Sequence, residues 1–426
     1  MPNFSIRYGL LSFVSYMLTS CVQSPTAQYN LTSVNKINSA ANILGDTSYP
    51  AICYGGYRTL TRDSQPDIQQ VKEDLIILNS MGIKLLRTYN TYYAEVETVL
   101  RAIQELKEAD INFEMYVMLG AWIECENAWS KDSTDHNREN IQANNAEIQR
   151  AVKLANSYSD IVKMLSVGNE AMVKWATQYY VQPGIILKWV NHLQELKKHG
   201  LLPKDIWITS SDNFASWGGG DSSYHTNELN RLYKSVDFIS IHTYPMHDTH
   251  YHPHFWGVRV HEKELTAEEK ADSLMRRALF YARQQYYSVR HYMKSIGINK
   301  PIHIGETGWA THDNGLYGNT GSRACDEYKS AKYYQFIREW TNQEKITCFY
   351  FEAFDEKWKD LRNAEGAENH FGLFTVDGKA KYALWDMVNR GVFNSLQRDG
   401  NTVVKTYQGK KENVLGELAW PVNELK

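Results

Sequence analysis

Cysteine is scarce in this chain, with five in 426 residues and none at Cys-x-x-Cys spacing. That excludes a disulfide scaffold, a zinc ribbon and a thioredoxin-type redox pair. Ten prolines and 26 glycines are too few for collagen-like or low-complexity architecture. Charge of one sign is missing too. The 46 Lys and Arg against 49 Asp and Glu give a net −3, so a nucleic acid finds no basic excess to bind. No Gly-x-Gly-x-x-Gly follows a strand pattern, and Gly218-Gly219-Gly220 lacks the Lys-Ser/Thr of a phosphate cradle. What is plentiful is aromatic surface, with 28 Tyr and 12 Trp. Such rings suit clefts that offer an apolar face beside a polar rim, and they suit a large core equally well. Hydrophobic residues at 43% with charged residues at 22% belong to a compact globular protein.

The N-terminus reads separately. Arg7 is the only charge in the first 21 residues, and Leu10 to Leu18 is apolar. That run is too short to span a bilayer and has the form of a signal-peptide core. It ends in Leu18-Thr19-Ser20-Cys21, which resembles the lipobox of bacterial lipoproteins. The resemblance implies removal of residues 1–20, lipidation of Cys21, and an exported protein held at the outer membrane or periplasmic face. An ordinary secretory signal that contains a Cys is the alternative. Residues 21–48 are polar and rich in Asn, Ser and Thr, as a tether between lipid and folded domain would be.

From residue 49 short β-rich runs alternate with amphipathic helical patterns. Eight strands are expected, at Ala51–Gly55, Ile83–Tyr89, Phe113–Leu119, Val162–Val167, Ile206–Ser210, Val236–His242, Pro301–Gly305 and Thr347–Phe351. A helical stripe such as Ile68, Val71, Leu75 and Leu78, stopped by Gly82, separates each strand from the next. Eight right-handed β-then-α units close into a (β/α)8 TIM barrel, expected over 49–391. A doubly wound open sheet is the runner-up. Residues 392–426 are expected as a C-terminal extension over the barrel base.

In such a barrel the chemistry sits where strands end. The fourth strand ends in Val167-Gly168-Asn169-Glu170, and the seventh in Ile304-Gly305-Glu306-Thr307-Gly308-Trp309. Two carboxyls from nearly opposite strands can face each other across one cavity. Glycoside hydrolysis needs such a pair, one protonated and one ionised. The bland alternative is that each glutamate caps a helix or pairs with a lysine.

These residues, with Ile52-Cys53-Tyr54-Gly55 on the first strand and Phe354-Asp355-Glu356-Lys357-Trp358-Lys359 and Glu368-Asn369-His370-Phe371-Gly372 after the eighth, resemble glycoside hydrolase family 17. The resemblance runs from residue 52 to 374 and implies a retaining β-1,3-glucanase acting on laminarin-like β-glucan by double displacement, with no cofactor and no metal. It makes Glu170 the acid/base and Glu306 the nucleophile. Asn169 would bind the sugar 2-hydroxyl and Tyr244 would orient the nucleophile. Tyr54, Trp309, Glu356, Lys359 and Glu368 would line the cleft, with Lys359 as the cation that keeps the nucleophile ionised. A structural ion-pair network is the other reading of Glu356, Lys359 and Glu368. Against the plant pattern, the loop after the sixth strand is long and His-rich, with His247, His250, His252 and His254. Those histidines are also the residues a metal-dependent rival would use. Trp122, Trp129 and Trp217 are either sugar platforms or packing anchors. A β-1,3-glucanosyltransferase using the same two glutamates, and a non-catalytic glycan-binding lipoprotein, remain as alternatives. A monomer is expected.

Overall fold

All eight expected strands form, and their neighbours close the ring. The computed structural model describes residues 38–425. The expected signal segment 1–20, Cys21 and the first part of the tether therefore lie outside the described residues. The strands are β1 (Ala51–Cys53), β2 (Leu85–Arg87), β3 (Tyr116–Ala121), β4 (Val162–Asn169), β5 (Trp207–Asn213), β6 (Ile239–His242), β7 (Ile302–Thr307) and β8 (Cys348–Tyr350). They pair in parallel in chain order, and β1 returns to β8 through Ala51 opposite Phe349. The open-sheet alternative is thereby excluded.

The helices between them are α1 (Ile68–Ser80), α2 (Glu95–Ala109), α3 (Ile141–Ser157), α4 (Pro183–Lys198), α5 (Asn227–Ser235), α6 (Ala267–Ser295), α7 (Glu327–Gln343) and the short α8 (Trp385–Asn389). Their ends are chemically marked. Asp67 and Gln70 make a capping box at the start of α1, and Thr266 and Glu269 make one at the start of α6, each satisfying two backbone N–H groups that the first turn leaves open. Among the described residues no helix is long and apolar enough to cross a membrane.

Two boundaries differ from expectation. The polar stretch does not remain a tether to residue 48. Ala40–Ile43 forms one helical turn with Ala40, Ile43 and Leu44 buried, and the Gly45 N–H donates to Thr347 Oγ1 at 2.7 Å. Burial of these apolar side chains outweighs the polar composition around them. The C-terminal extension does not cover the barrel base. Arg398 is fully buried and donates to Asp74 Oδ1 at 2.8 Å on α1, while Asp399 accepts from Arg58 at 2.8 Å in the β1–α1 connection. Glu424–Leu425 then pairs in parallel with Val258–Arg259, in the connection after β6. Those connections belong to the face where the strands end, so the extension borders that face.

Candidate active site

Both glutamates sit at irregularities in the sheet. The β4–β5 register shifts between Ser166 and Asn169, and the β6–β7 register shifts between Ile304 and Glu306. Bulges of this kind re-aim side chains at barrel rims. Gly168 has φ +81° and Glu170 itself φ +47°, a conformation that costs a non-glycine residue energy and is held only where the surroundings require it. At Gly305 a Cβ would lie 2.2 Å from Ser211 Oγ, so only glycine allows β7 to pass so close to β5.

The result is a tight polar cluster. One carboxylate oxygen of Glu170, one of Glu306 and a ring nitrogen of His242 lie within 4.8 Å of one another. Tyr244 donates its hydroxyl to Glu306 Oε2 at 2.8 Å, and Arg87 donates to Glu306 Oε1. The other end of the same guanidinium donates to Asn169 Oδ1 at 2.5 Å. This fixes the amide so that its NH2 is left for a ligand. His242 Nδ1 lies 3.0 Å from Glu170 Oε1, and its Nε2 lies 2.8 Å from Ser211 Oγ.

The surroundings drive the two carboxyls apart in proton affinity. Burial, and then the nearby charge of Glu306, push Glu170 up to about 8. Burial pushes Glu306 up as well, but His242, Arg87 and the Tyr244 hydroxyl outweigh it and hold Glu306 below the usual carboxylate range. Burial pulls His242 down to about 4, so it is neutral at pH 7. The charge that keeps Glu306 ionised there is therefore Arg87's, whose own proton is held more tightly still in return.

A cleft of about 1750 Å³ opens over this cluster. Asn169, Tyr244, Tyr54, Glu356, Lys359 and Glu368 all line it, as do Trp122 and Trp129. Tyr54 contributes its ring while its hydroxyl is tied to Asp74 at 2.9 Å. Trp122, Trp129 and Tyr179 form one aromatic group, with Trp129 and Tyr179 stacked at 5.2 Å and Trp129 59% exposed.

Several expected roles do not match the geometry. Trp309 is fully buried, packs on Trp256 and Tyr333 and donates to Ala324 O at 2.9 Å, so it cannot meet a sugar in the cleft. Trp217 is likewise a core residue, bonded to Ser240 O at 3.0 Å. Lys359 is not the nucleophile's cation. It pairs with Glu352 at 2.5 Å and Glu356 at 3.2 Å, and Glu368 faces His247 at 3.5 Å rather than joining them. The rest of the His-rich loop forms no cage, because among the described residues the one group with metal-ligand proximity is Glu170, His242 and Glu306. Arg87 and His242 are site residues that the sequence pattern does not single out, although each is a charged or titratable residue at a buried strand end and that sign points to them.

Comparison with known proteins agrees with this architecture. Residues 51–372 match the BtgE/BtgC glycoside hydrolase domain. An endo-laminarinase from Formosa Hel1_33_131 is 59% identical, with a TM-score of 0.90 over 91% of this chain and 98% of that one. A glycoside hydrolase family 17 β-1,3-glucanosyltransferase from Rhizomucor miehei, at 21% identity and a TM-score of 0.52 over 79% of this chain and 96% of that one, shares the fold. A putative glucan endo-1,3-beta-glucosidase btgC of Aspergillus niger is 24% identical over 310 residues, which are 71% of this chain and 37% of that one. The match thus spans well under half the length of the btgC relatives. With the domain match covering the whole barrel from β1 to the segment beyond β8, the chain belongs to the BtgE/BtgC glycoside hydrolase family.

Proposed function

We propose that this protein is a retaining endo-β-1,3-glucanase that cleaves laminarin-like glucan. The observation that carries the reading is the pair of half-buried Glu170 and buried Glu306, close together and opposed in proton affinity. The 59% identity to an endo-laminarinase over nearly the whole of that chain supports the substrate class. The cleft, lined on both sides of the pair, supports attack within a polymer.

In this mechanism Glu306, ionised beside Arg87, attacks the anomeric carbon while Glu170 protonates the leaving oxygen. His242 is neutral. With its proton on Nδ1 it donates to Glu170 Oε1, so the carboxyl proton sits on Oε2, free for the leaving group, and Nε2 accepts from Ser211. Asn169, oriented by Arg87, donates to the sugar 2-hydroxyl, a contact that strengthens as the oxocarbenium-like transition state forms. Water activated by the deprotonated Glu170 then releases the glycosyl ester.

The spacing sets the stereochemistry. Retaining enzymes hold their carboxyl groups about 5–5.5 Å apart, and inverting ones need roughly 6.5–9.5 Å to admit a water. Oxygens within 4.8 Å fit the first class. Proton NMR during hydrolysis of laminarin oligosaccharides is expected to show the β-anomer first, before mutarotation. An α-anomer as the first product would rule out the nucleophile role of Glu306.

We also propose export and anchoring through Cys21. The support is the residue pattern around Leu10–Cys21 alone. Cys21→Ser is expected to move the protein from the membrane fraction to the soluble one, because several acyl chains hold firmly where one does not. Equal partitioning of both forms would reduce Cys21 to a residue of an ordinary signal.

A further inference from the structure

We propose that the β1–β2–β8 end of the cleft contains a sugar-hydroxyl subsite built on Glu95, which grips a neutral glucosyl unit away from the scissile bond. The proposal rests on the glucanase reading and extends it to a residue with no part in the chemistry.

Glu95 is the first residue of α2, lines the cleft and is only 4% exposed. Its Oε1 has no hydrogen-bond partner among the described residues. Leaving a buried carboxyl oxygen unpaired is costly, so such a group calls for a reason. Its acidic neighbour Glu356 is satisfied by contrast. Glu356 accepts from the Tyr57 N–H at 3.1 Å, from the Trp358 indole at 3.2 Å and from Lys359 at 3.2 Å. The Glu95 N–H itself donates to Gln65 Oε1 at 3.0 Å. The Glu95 Oε1 is left over, as is the Tyr89 hydroxyl in the same cleft.

The walls around it are those a pyranose needs. The Arg62 guanidinium lies 4.7 Å from the centre of the Tyr93 ring and 4.2 Å from that of Trp358. Tyr57 meets both rings edge-on, at 6.5 and 5.9 Å. These residues line the same end of the cleft. Aromatic faces with a cation locked between them are rigid, so little side-chain freedom is lost when a sugar arrives. Burial and the charge of Glu356 raise the Glu95 carboxyl well above its ordinary range. That direction, which the nearby Arg62 opposes only in part, favours the protonated form, and a protonated carboxyl can both donate to and accept from a sugar hydroxyl. A neutral glucosyl unit matches that chemistry.

The test is the length dependence of cleavage, measured as kcat/KM and as the position of the cut, on laminaritriose through laminariheptaose. Wild type, Glu95→Met and Glu95→Gln are compared. The methionine variant is expected to lose about ten-fold on oligosaccharides long enough to reach the subsite relative to the shortest one cleaved, which is the weight of one good hydrogen bond or two modest ones. Its preferred cut should shift along the chain. Glutamine, which also donates and accepts, should restore most of the length preference. The methionine variant should melt no lower than wild type, since the free protein has no bond at Oε1 to lose. The same length profile in Glu95→Met and wild type would overturn the subsite and leave a water-filled niche only. An equal loss at every length, with a lower melting temperature, would overturn it in favour of a purely structural role. A wild type that cleaves none of these oligosaccharides would defeat the glucanase reading itself and the subsite with it.

Discussion

Glu306→Ala is expected to lose about four or more orders of magnitude in turnover on laminarin, because no other group at the site can form the glycosyl ester. The substitution also leaves the buried Arg87 without its carboxylate, and an unpaired buried charge is strongly destabilising. Loss of activity alone would therefore be ambiguous. Azide resolves it. A small anion can enter the space left by the carboxylate beside Arg87 and attack the anomeric carbon from that face, giving the α-glycosyl azide and partial recovery on an activated substrate. Glu306→Gln, which keeps the volume and a hydrogen-bond acceptor, should melt closer to wild type yet remain as inactive on laminarin. Near wild-type turnover in either variant would refute the assignment.

The second large effect is expected at Glu170, and it depends on the substrate. Glu170→Gln should slow the cleavage of laminarin by about 10²–10⁴-fold, the usual weight of a general acid. An aryl laminaribioside with a good leaving group should lose far less in the first step, since its departure needs little protonation. The pH profile gives an independent check. In wild type kcat/KM should fall above about pH 8, as Glu170 loses the proton it must donate. It should fall on the acid side as Glu306, held low by Arg87, finally gains one. The glutamine variant cannot titrate, so its alkaline limb should vanish while the acid limb stays. Equal losses on both substrates with an unchanged alkaline limb would assign Glu170 another role.

The strand positions and the two glutamates were legible in the sequence because both depend on local pattern. A buried parallel strand is a short apolar run, and its C-terminal end is the last residue before the pattern breaks. Asn169-Glu170 and Gly305-Glu306 stand at those breaks. What was not legible depends on direction and register. The resemblance places Trp309 along the cleft, and the sequence leaves Trp217 as either platform or anchor. Whether a ring turns into the cleft or away from it is set by packing on Trp256, Tyr333 and Ser240, in other elements of the chain. The three-residue spacing of Glu356 and Lys359 does give an ion pair, at 3.2 Å, but in a turn and not a helix. The lysine also reaches back to Glu352, while Glu368 turns to His247. Arg87 becomes the partner of Glu306 across 219 positions, a contact that exists only once the barrel has closed. The position of the C-terminal extension is hidden for the same reason, since nothing local in residues 392–426 announces a salt bridge to α1.

That salt bridge bears on the order in which the protein is made. Asp74 is fully buried and faces two guanidinium groups. Arg58 is 16 positions away and is available as soon as α1 leaves the ribosome, whereas Arg398 arrives 324 positions later. Helix α1 can therefore dock early with half of its counter-charge. The wall it provides beside Tyr54, whose hydroxyl also binds Asp74, stays incompletely neutralised until nearly the whole chain has emerged. Contacts of such long sequence separation form late. The cleft of this protein would thus be finished from its beginning by its end, and the nascent barrel would reach full rigidity only after translation stops.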